Sequence, residues 1–262
     1  MRTSRRALSN QADTPPQRIR WTPEMVNRFW NGFSKTRLVE YSFSRQAGRS
    51  LLVAIDHLLP KKGRILDFGA GDGDLVRLMS DRGLRAAAYE PSESRSQKLI
   101  EKLQRCLHAL GIEGLYSKAA FDVVLLVEVL EHIIEEQLED QLNRLKAFTK
   151  DGGLIIVTVP NNEDLDLGMA YCPVSNLLFH RWQHVRSFTA ESLVQLMASH
   201  GFQEVVTHHV EFIEPLFVPF DRLWGDPDQT VSLPSHIVEL RANRAARIGG
   251  ETNLLYIGRR VS

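Results

Sequence analysis

The sequence predicts an α/β fold: a mostly parallel sheet with helices on both faces. Three observations carry this. Short apolar runs alternate with amphipathic segments along most of the chain, the pattern of strand–helix–strand units. Phe121 to Val127 reads as a strand buried on both faces, as in parallel sheets. The first strand, Gly63 to Asp67, runs straight into a glycine-rich turn, Gly69-Ala70-Gly71-Asp72-Gly73, and then into a helix.

The elements follow in order. Thr22-Pro23-Glu24 reads as a helix start, with Thr22 as cap and Pro23 in the first helical position. Arg49 to Leu59 is apolar at helical spacing. Leu75, Leu78 and Met79 share a helix face that Gly83 ends. Leu84 to Tyr89 is a second strand and Ser94 to Leu107 an amphipathic helix. Ile134 to Phe148 is a helix stopped by Gly152-Gly153, and Leu154 to Val159 a strand. Thr189 caps a helix that ends at Gly201. Val205 to Val210 and Leu254 to Ile257 are the last strands. Two stretches break the rhythm, residues 160–188 and 214–250, and long insertions of this kind are usually lids or binding elements.

Composition sets the frame. The 262 residues are 43% hydrophobic and 24% charged, ordinary for a globular chain. Lys plus Arg and Asp plus Glu are 32 each, so net charge argues for neither a nucleic-acid nor an anionic-membrane partner. Cys106 and Cys172 lie far apart, which fits a reducing, cytoplasmic setting. No apolar run approaches the ~18 residues of a membrane span. Residues 1–20 read as a disordered basic tail, and residues 21–262 as a single domain. Arg241, Arg244 and Arg247 mark a local basic stretch. A dimer contact is one use for the second insertion.

The chemistry begins at Ile65 to Glu90. Gly69 and Gly71 lack a Cβ, so a ligand can approach their backbone closely. The glycines at 69, 71 and 73 depart from the G-x-G-x-x-G dinucleotide spacing. Asp67 at the strand end repels phosphate and suits a cationic group. Glu90, at the end of the next strand, can accept hydrogen bonds from two ribose hydroxyls. Past the fourth strand comes Glu128-Val129-Leu130-Glu131-His132. A helical turn there puts Glu128, Glu131 and His132 on one face, where they can ligate a divalent cation or supply a base.

Two strand-end acids with a glycine turn between them resemble the class I S-adenosylmethionine-dependent methyltransferases. The resemblance implies a Rossmann-like, mostly parallel seven-stranded sheet with a C-terminal antiparallel hairpin strand. It implies a cofactor surface of Asp67, Gly69, Ala70, Gly71, Asp72, Glu90, Pro91 and Glu128. Of these, Asp67, Gly69 and Gly71 serve the methionine end and Glu90 the ribose. Family members commonly end a third strand in an acid that contacts adenine. Residues 106–120 offer no clear Asp, so an abbreviated third strand is expected. The E-x-x-E-H run and the later His180-Arg181-Trp182-Gln183-His184-Val185-Arg186-Ser187-Phe188 resemble two metal-assisted branches, the ubiquinone-pathway O-methyltransferases and the small-RNA 3′-end methyltransferases. That likeness implies a divalent ion (Mg, Mn or Zn) on Glu128, Glu131, His132 and His184, with His180 as a further candidate. The same motif also occurs in methyltransferases without a known metal, where His132 caps a turn and Glu128 braces the cofactor loop.

The expected activity is methyl transfer from S-adenosylmethionine to a hydroxyl or amine of a small molecule or glycan, with His132 and His184 as candidate bases. Asn161 and Asn162 are expected beside the cleft. Two other readings stay open: an NAD-dependent oxidoreductase, which Asp67 and the glycine spacing oppose, and a non-catalytic cofactor-fold binding protein.

Overall fold

The computed structural model describes residues 14–112, 121–221 and 233–261. The chain enters through a two-residue strand β1 (Gln17–Arg18), helix α1 (Pro23–Phe33) and the short helices α2 (Phe43–Gln46) and α3 (Gly48–Ile55). There follow β2 (Ile65–Phe68), α4 (Asp74–Asp81), β3 (Ala86–Tyr89), α5 (Glu93–Leu103), β4 (Ala109–Ile112) and β5 (Phe121–Val127). The next elements are α6 (Glu135–Phe148), β6 (Thr149–Pro160), β7 (Met169–Cys172), β8 (Leu177–His180), α7 (Ala190–Ser199) and β9 (Phe202–Val210). The chain closes with α8 (Glu214–Phe217), α9 (Ser235–Arg241), β10 (Arg247–Ile248) and β11 (Asn253–Arg260).

The main sheet has eight strands in the order β10-β9-β11-β6-β5-β2-β3-β4. The first helical crossovers make β2, β3, β4, β5 and β6 parallel, and β11 inserts antiparallel between β6 and β9. The expected seven strands and antiparallel hairpin strand are present, and β10 extends the sheet by a two-residue pairing with β9. The predicted abbreviated third strand is the four-residue β4, with residues 113–120 outside the described part.

Strand residues alternate between two apolar clusters, one on each face. Val123, Leu125 and Val127 belong to the first, with Leu51, Leu75 and Ile156. Val124 and Leu126 belong to the second, with Leu66, Leu142 and Ile155. This period of two is what a sheet covered on both sides requires.

Local signals explain the boundaries. The Thr22 hydroxyl accepts the Met25 N–H at 3.4 Å, and Pro23 opens α1. Thr189 and Ser192 form a reciprocal cap at α7. Gly152 and Gly153 do not stop α6, which already ends at Phe148. They lie inside the twelve-residue β6, where the register against β5 shifts between Phe121 and Val123. Gly152, at φ 72, supplies the bend that such an irregularity needs.

The described parts of the two insertions are built rather than open. Residues 160–188 contain the antiparallel hairpin β7–β8, and β1 pairs in parallel with β8. This corrects the tail expected at 1–20. The edge of β8 presents free backbone groups, and the Ile19 N–H donates to the Leu178 carbonyl at 2.8 Å. Residues 1–13 of that tail lie outside the described residues. Of residues 214–250, α8, α9 and β10 are described, and α8 and α9 pack on α3. Among the described residues no helix is long and apolar enough to cross a membrane.

Leu125 sits in the central strand and is fully buried. Leu125→Ala is expected to destabilise the fold by about 2–5 kcal/mol, seen as a lower urea midpoint at unchanged slope.

Candidate active site

Parallel pairing brings the carboxyl ends of β2, β3, β5 and β6 to one edge, where α/β sheets bind ligands. At the end of β2 the amides of Gly69 and Ala70 both donate to the Tyr89 carbonyl, at 2.8 and 3.0 Å. The turn then passes through Gly69 at φ 86 and Gly71 at φ 55, conformations that favour glycine. A Cβ on Gly69 would lie 2.6 Å from the Val129 methyl, so this position is closed to a side chain on two counts.

Glu90 ends β3 and is nearly buried. Its Oε2 accepts the Gly71 N–H at 3.0 Å and its Oε1 accepts the Ser92 N–H at 3.0 Å. A carboxylate offers about four acceptor positions, so beyond these two amides and the Arg95 guanidinium near Oε2 there is room for a ligand hydroxyl. Burial pushes the Glu90 pKa up, and the Arg95 guanidinium, 3.5 Å away, pulls it down. Asp67 lies one step behind this surface. It does not line the cavity, and its Oδ2 is buried without a partner. Burial first, then the charges of Glu90 and Asp74, raise its pKa to about 7.

A cavity of about 550 Å³ opens here. Phe68 to Asp72 and Glu90 to Ser92 form one wall. Helix α1 and residues 39–46 form a cover, and Glu128 to Ile133, Trp182 and His184 close the far side. Trp30 of α1 fastens the cover. Its indole N–H donates to the Gln183 side-chain oxygen at 2.8 Å, and the Gln183 amide donates to the His132 carbonyl at 2.9 Å. The Trp30 ring meets the His132 ring edge-on at 4.8 Å, and Arg95 lies over Trp30 at 5.5 Å.

Beyond β5 the chain takes a left-handed step at Glu128, φ 50, and then a 3-10 turn over Leu130–His132. The Val185 N–H donates to the Glu131 carbonyl at 2.8 Å and Arg186 to the Ile133 carbonyl at 2.7 Å, which lays residues 183–186 against this turn. The ligand atoms of Glu131, His132 and His184 fall within 4.8 Å of one another. Both Glu131 oxygens are buried with no hydrogen-bond partner. Burial, then the Glu128 charge, hold its pKa well above the usual carboxylate range. Burial, then His184, hold the His132 pKa well below the usual imidazole range.

The predicted set therefore divides. Gly69, Ala70, Gly71, Asp72, Glu90, Pro91 and Glu128 all line the cavity, and Asp67 supports the turn from behind. Glu131, His132 and His184 gather as expected. Glu128 is not part of that group, because its left-handed backbone breaks the helical face that would have aligned it. Its Oε1 accepts from the Asn253 amide at 3.1 Å, and burial raises its pKa to about 7. His180 instead joins His184 and Glu163 in a second group. Asn161 and Asn162 do not line the cavity. Asn161 ties β6 to the Glu251 carbonyl, and Asn162 takes φ 49, a turn role that Asn tolerates. Arg95, Gln183 and Glu163 were not anticipated, whereas Trp30 belongs to the aromatic stretch 21–48, which the sequence places as helices over the cofactor cleft. The Pro-Asn-Asn-Glu run was the only sequence trace of the first three.

The sheet order, the glycine turn and the acid on the second strand define the fold of the class I S-adenosylmethionine-dependent methyltransferases. A methyltransferase-domain family matches residues 42–208, and the chain belongs to it. It is 29% identical over 124 residues to the ubiquinone biosynthesis O-methyltransferase of Bradyrhizobium diazoefficiens, covering 45% of this chain and 47% of that protein. It is 30% identical over 139 residues to the tRNA U34 carboxymethyltransferase of Haemophilus influenzae, covering 48% of this chain and 43% of that one. The match thus spans under half the length of these two relatives. The 1,6-didemethyltoxoflavin-N1-methyltransferase of Burkholderia thailandensis, solved with 1,6-didemethyltoxoflavin and S-adenosylhomocysteine, superposes at a TM-score of 0.58 over 95% of both chains with 16% identity. That likeness is one of fold.

Two outcomes follow. Gly69→Ala should abolish S-adenosylhomocysteine binding in calorimetry, since the new methyl must displace Val129 or the turn. Asp67 is the second case. Its folded pKa of about 7 lies above the ordinary 3.8, so its contribution to stability is fully present below 3.8 and is lost progressively as pH rises from there through about 7. The melting temperature of Asp67→Asn, relative to wild type, is therefore expected to climb between about pH 4 and 7 and then to level off. A flat difference would mean that Asp67 ionises normally.

Proposed function

We propose that this chain transfers a methyl group from S-adenosylmethionine to a hydroxyl of a small-molecule or glycan acceptor, next to a divalent ion held by Glu131, His132 and His184. The observation that carries this is the Glu131 carboxyl. It is buried in the turn that forms the far wall of the cofactor cavity, has no hydrogen-bond partner on either oxygen, and lies beside two imidazoles. A buried carboxylate left unpaired is expensive, and a cation resolves it. The name of the ubiquinone-pathway relative, an O-methyltransferase, supports a hydroxyl, and that of the toxoflavin enzyme, an N1-methyltransferase solved with its small molecule, supports only the small-molecule class.

The donor supplies an electrophilic methyl on a sulfonium, so the protein's work is alignment and exclusion of water. Glu90, with room left for a ligand hydroxyl, suits the ribose. The Gly69–Gly71 turn admits the methionine end to its backbone. Asp67, behind the turn, gains charge when a cation settles there. Trp30 and Gln183 hold the cover down over His132. Glu131, with His132 and His184, is a carboxylate–imidazole set that fits Mn or Zn. Such an ion orients a hydroxyl and lowers its pKa.

A second reading keeps the residues and drops the ion. The depressed pKa of His132 keeps it neutral, and it then takes the acceptor proton itself. One experiment separates the two. S-adenosylhomocysteine is titrated into chelator-stripped protein, followed by manganese(II), and labelled S-adenosylmethionine is then offered with a panel of phenols and sugars. Binding on the order of micromolar, about 8 kcal/mol, supports the donor. Manganese heat that disappears in Glu131→Ala supports the ion. Turnover that survives chelation favours His132 as base, and no cofactor binding at all overturns the reading.

A further inference from the structure

We propose that Glu163 is a positioning residue, which fixes the His184 ring so that Nε2 is the nitrogen presented to the ion site of Glu131 and His132. The inference rests on the ion proposed above. Glu163 Oε2 lies 2.5 Å from His184 Nδ1. A carboxylate only accepts, so Nδ1 carries a proton, and in the neutral ring that a metal requires the lone pair is then on Nε2. The other oxygen of this carboxylate faces a second ring. The His184 N–H donates to His180 Nδ1 at 3.1 Å, which leaves the His180 proton on Nε2, and that nitrogen faces Glu163 Oε1 at 3.4 Å. Both oxygens of Glu163 thus face imidazole nitrogens, one on each ring.

The placement suits this task and no direct one. Glu163 does not line the cofactor cavity. It opens on a separate groove with Asn162, Gly250 and Thr252, and reaches His184 from behind. The Asn162 N–H donates to the Phe188 carbonyl at 2.7 Å, which clamps the end of β6 to the segment that carries His184. This pairing holds the residue before Glu163 against the segment that carries His184.

Glu163, His180 and His184 also satisfy the spacing of a three-ligand metal group. The rings argue against it. His180 and His184 stack at 4.4 Å with planes only 21° apart, so their in-plane lone pairs run side by side rather than converge on one point. His184 instead meets His132 at 60° and 4.8 Å. One histidine with a carboxylate on its far nitrogen is the arrangement that orients metal-bound imidazoles, and loss of such a partner weakens metal binding about 10–100-fold.

The test is calorimetry of manganese(II) binding to wild type, Glu163→Ala and Glu163→Gln, each stripped with chelator and saturated with S-adenosylhomocysteine. Glu163→Ala should lose about 10–100-fold in manganese affinity, while Glu163→Gln, which keeps an acceptor oxygen, should lose less. S-adenosylhomocysteine affinity and the melting temperature should not move. Equal manganese affinity in wild type and Glu163→Ala overturns the inference. So does a parallel fall in S-adenosylhomocysteine affinity, because Glu163 would then merely hold its loop. Wild type that takes up no manganese overturns the underlying ion instead, and is recognised because all three proteins are then silent.

Discussion

The site depends on one constraint, the parallel pairing of β5 between β2 and β6. Parallel strands must all end at the same edge, so the chain leaves β2, β3, β5 and β6 side by side. Phe68, Glu90, Val127 and Pro160 are the last residues of those strands or lie one step beyond them. Each supplies the root of a different part of the site: the glycine turn, the Glu90 carboxyl, the Glu131–His132 turn and the Glu163 loop. None of these parts is near another in sequence. Only the crossovers bring them within reach.

The same edge concentrates negative charge where solvent is scarce. Asp67, Glu90, Glu128 and Glu131 all have raised pKa values, and burial is the leading cause in each. Arg95 answers Glu90, and Arg45 and Lys102 answer Asp74 at 2.9 and 2.6 Å. No comparable cation among the described ion pairs answers Asp67 or Glu131. Asp67, behind the cavity wall, and Glu131, on its far side, are carboxyls left without such a cation. The proposed chemistry would bring the donor's positive charge near the first and a divalent ion to the second. The two halves of the proposed chemistry thus follow from a single electrostatic imbalance.

What could be read from the sequence was what is local. The turn from Ile65 to Glu90 is contiguous, and its glycines have no other use at those φ values. The caps at Thr22 and Thr189 act within three residues. The strand at Phe121 to Val127 needed only its apolar run. What escaped was backbone direction and long-range meeting. Helical spacing placed Glu128 with Glu131 and His132, but a positive φ at Glu128 turned it aside. Glu163 meets His184 across 21 residues and Trp30 meets Gln183 across 153, through a hairpin whose edge also captures β1. No periodicity encodes such pairs. The insertion at 160–188 was recognised as an interruption, yet its content, a small sheet that carries His180 and His184 to the cavity, was not.

That difference separates the two walls of the cavity. The glycine-turn wall is made by backbone amides and strand-end acids, which the fold itself must place. The cover and far wall are made by side chains on α1, on the post-β5 turn and on the β8 loop, three pieces joined by the chain Trp30–Gln183–His132. Gln183 is fully buried and adopts φ 63, a strained conformation for a side chain of its size. The surrounding contacts hold it there: its amide is committed at both ends, and its neighbours Val185 and Arg186 are tied to Glu131 and Ile133. Strain of this kind is kept when geometry matters more than stability. Here the geometry it keeps is the approach of His184 to His132 and Glu131, on which any ion or base at the acceptor depends.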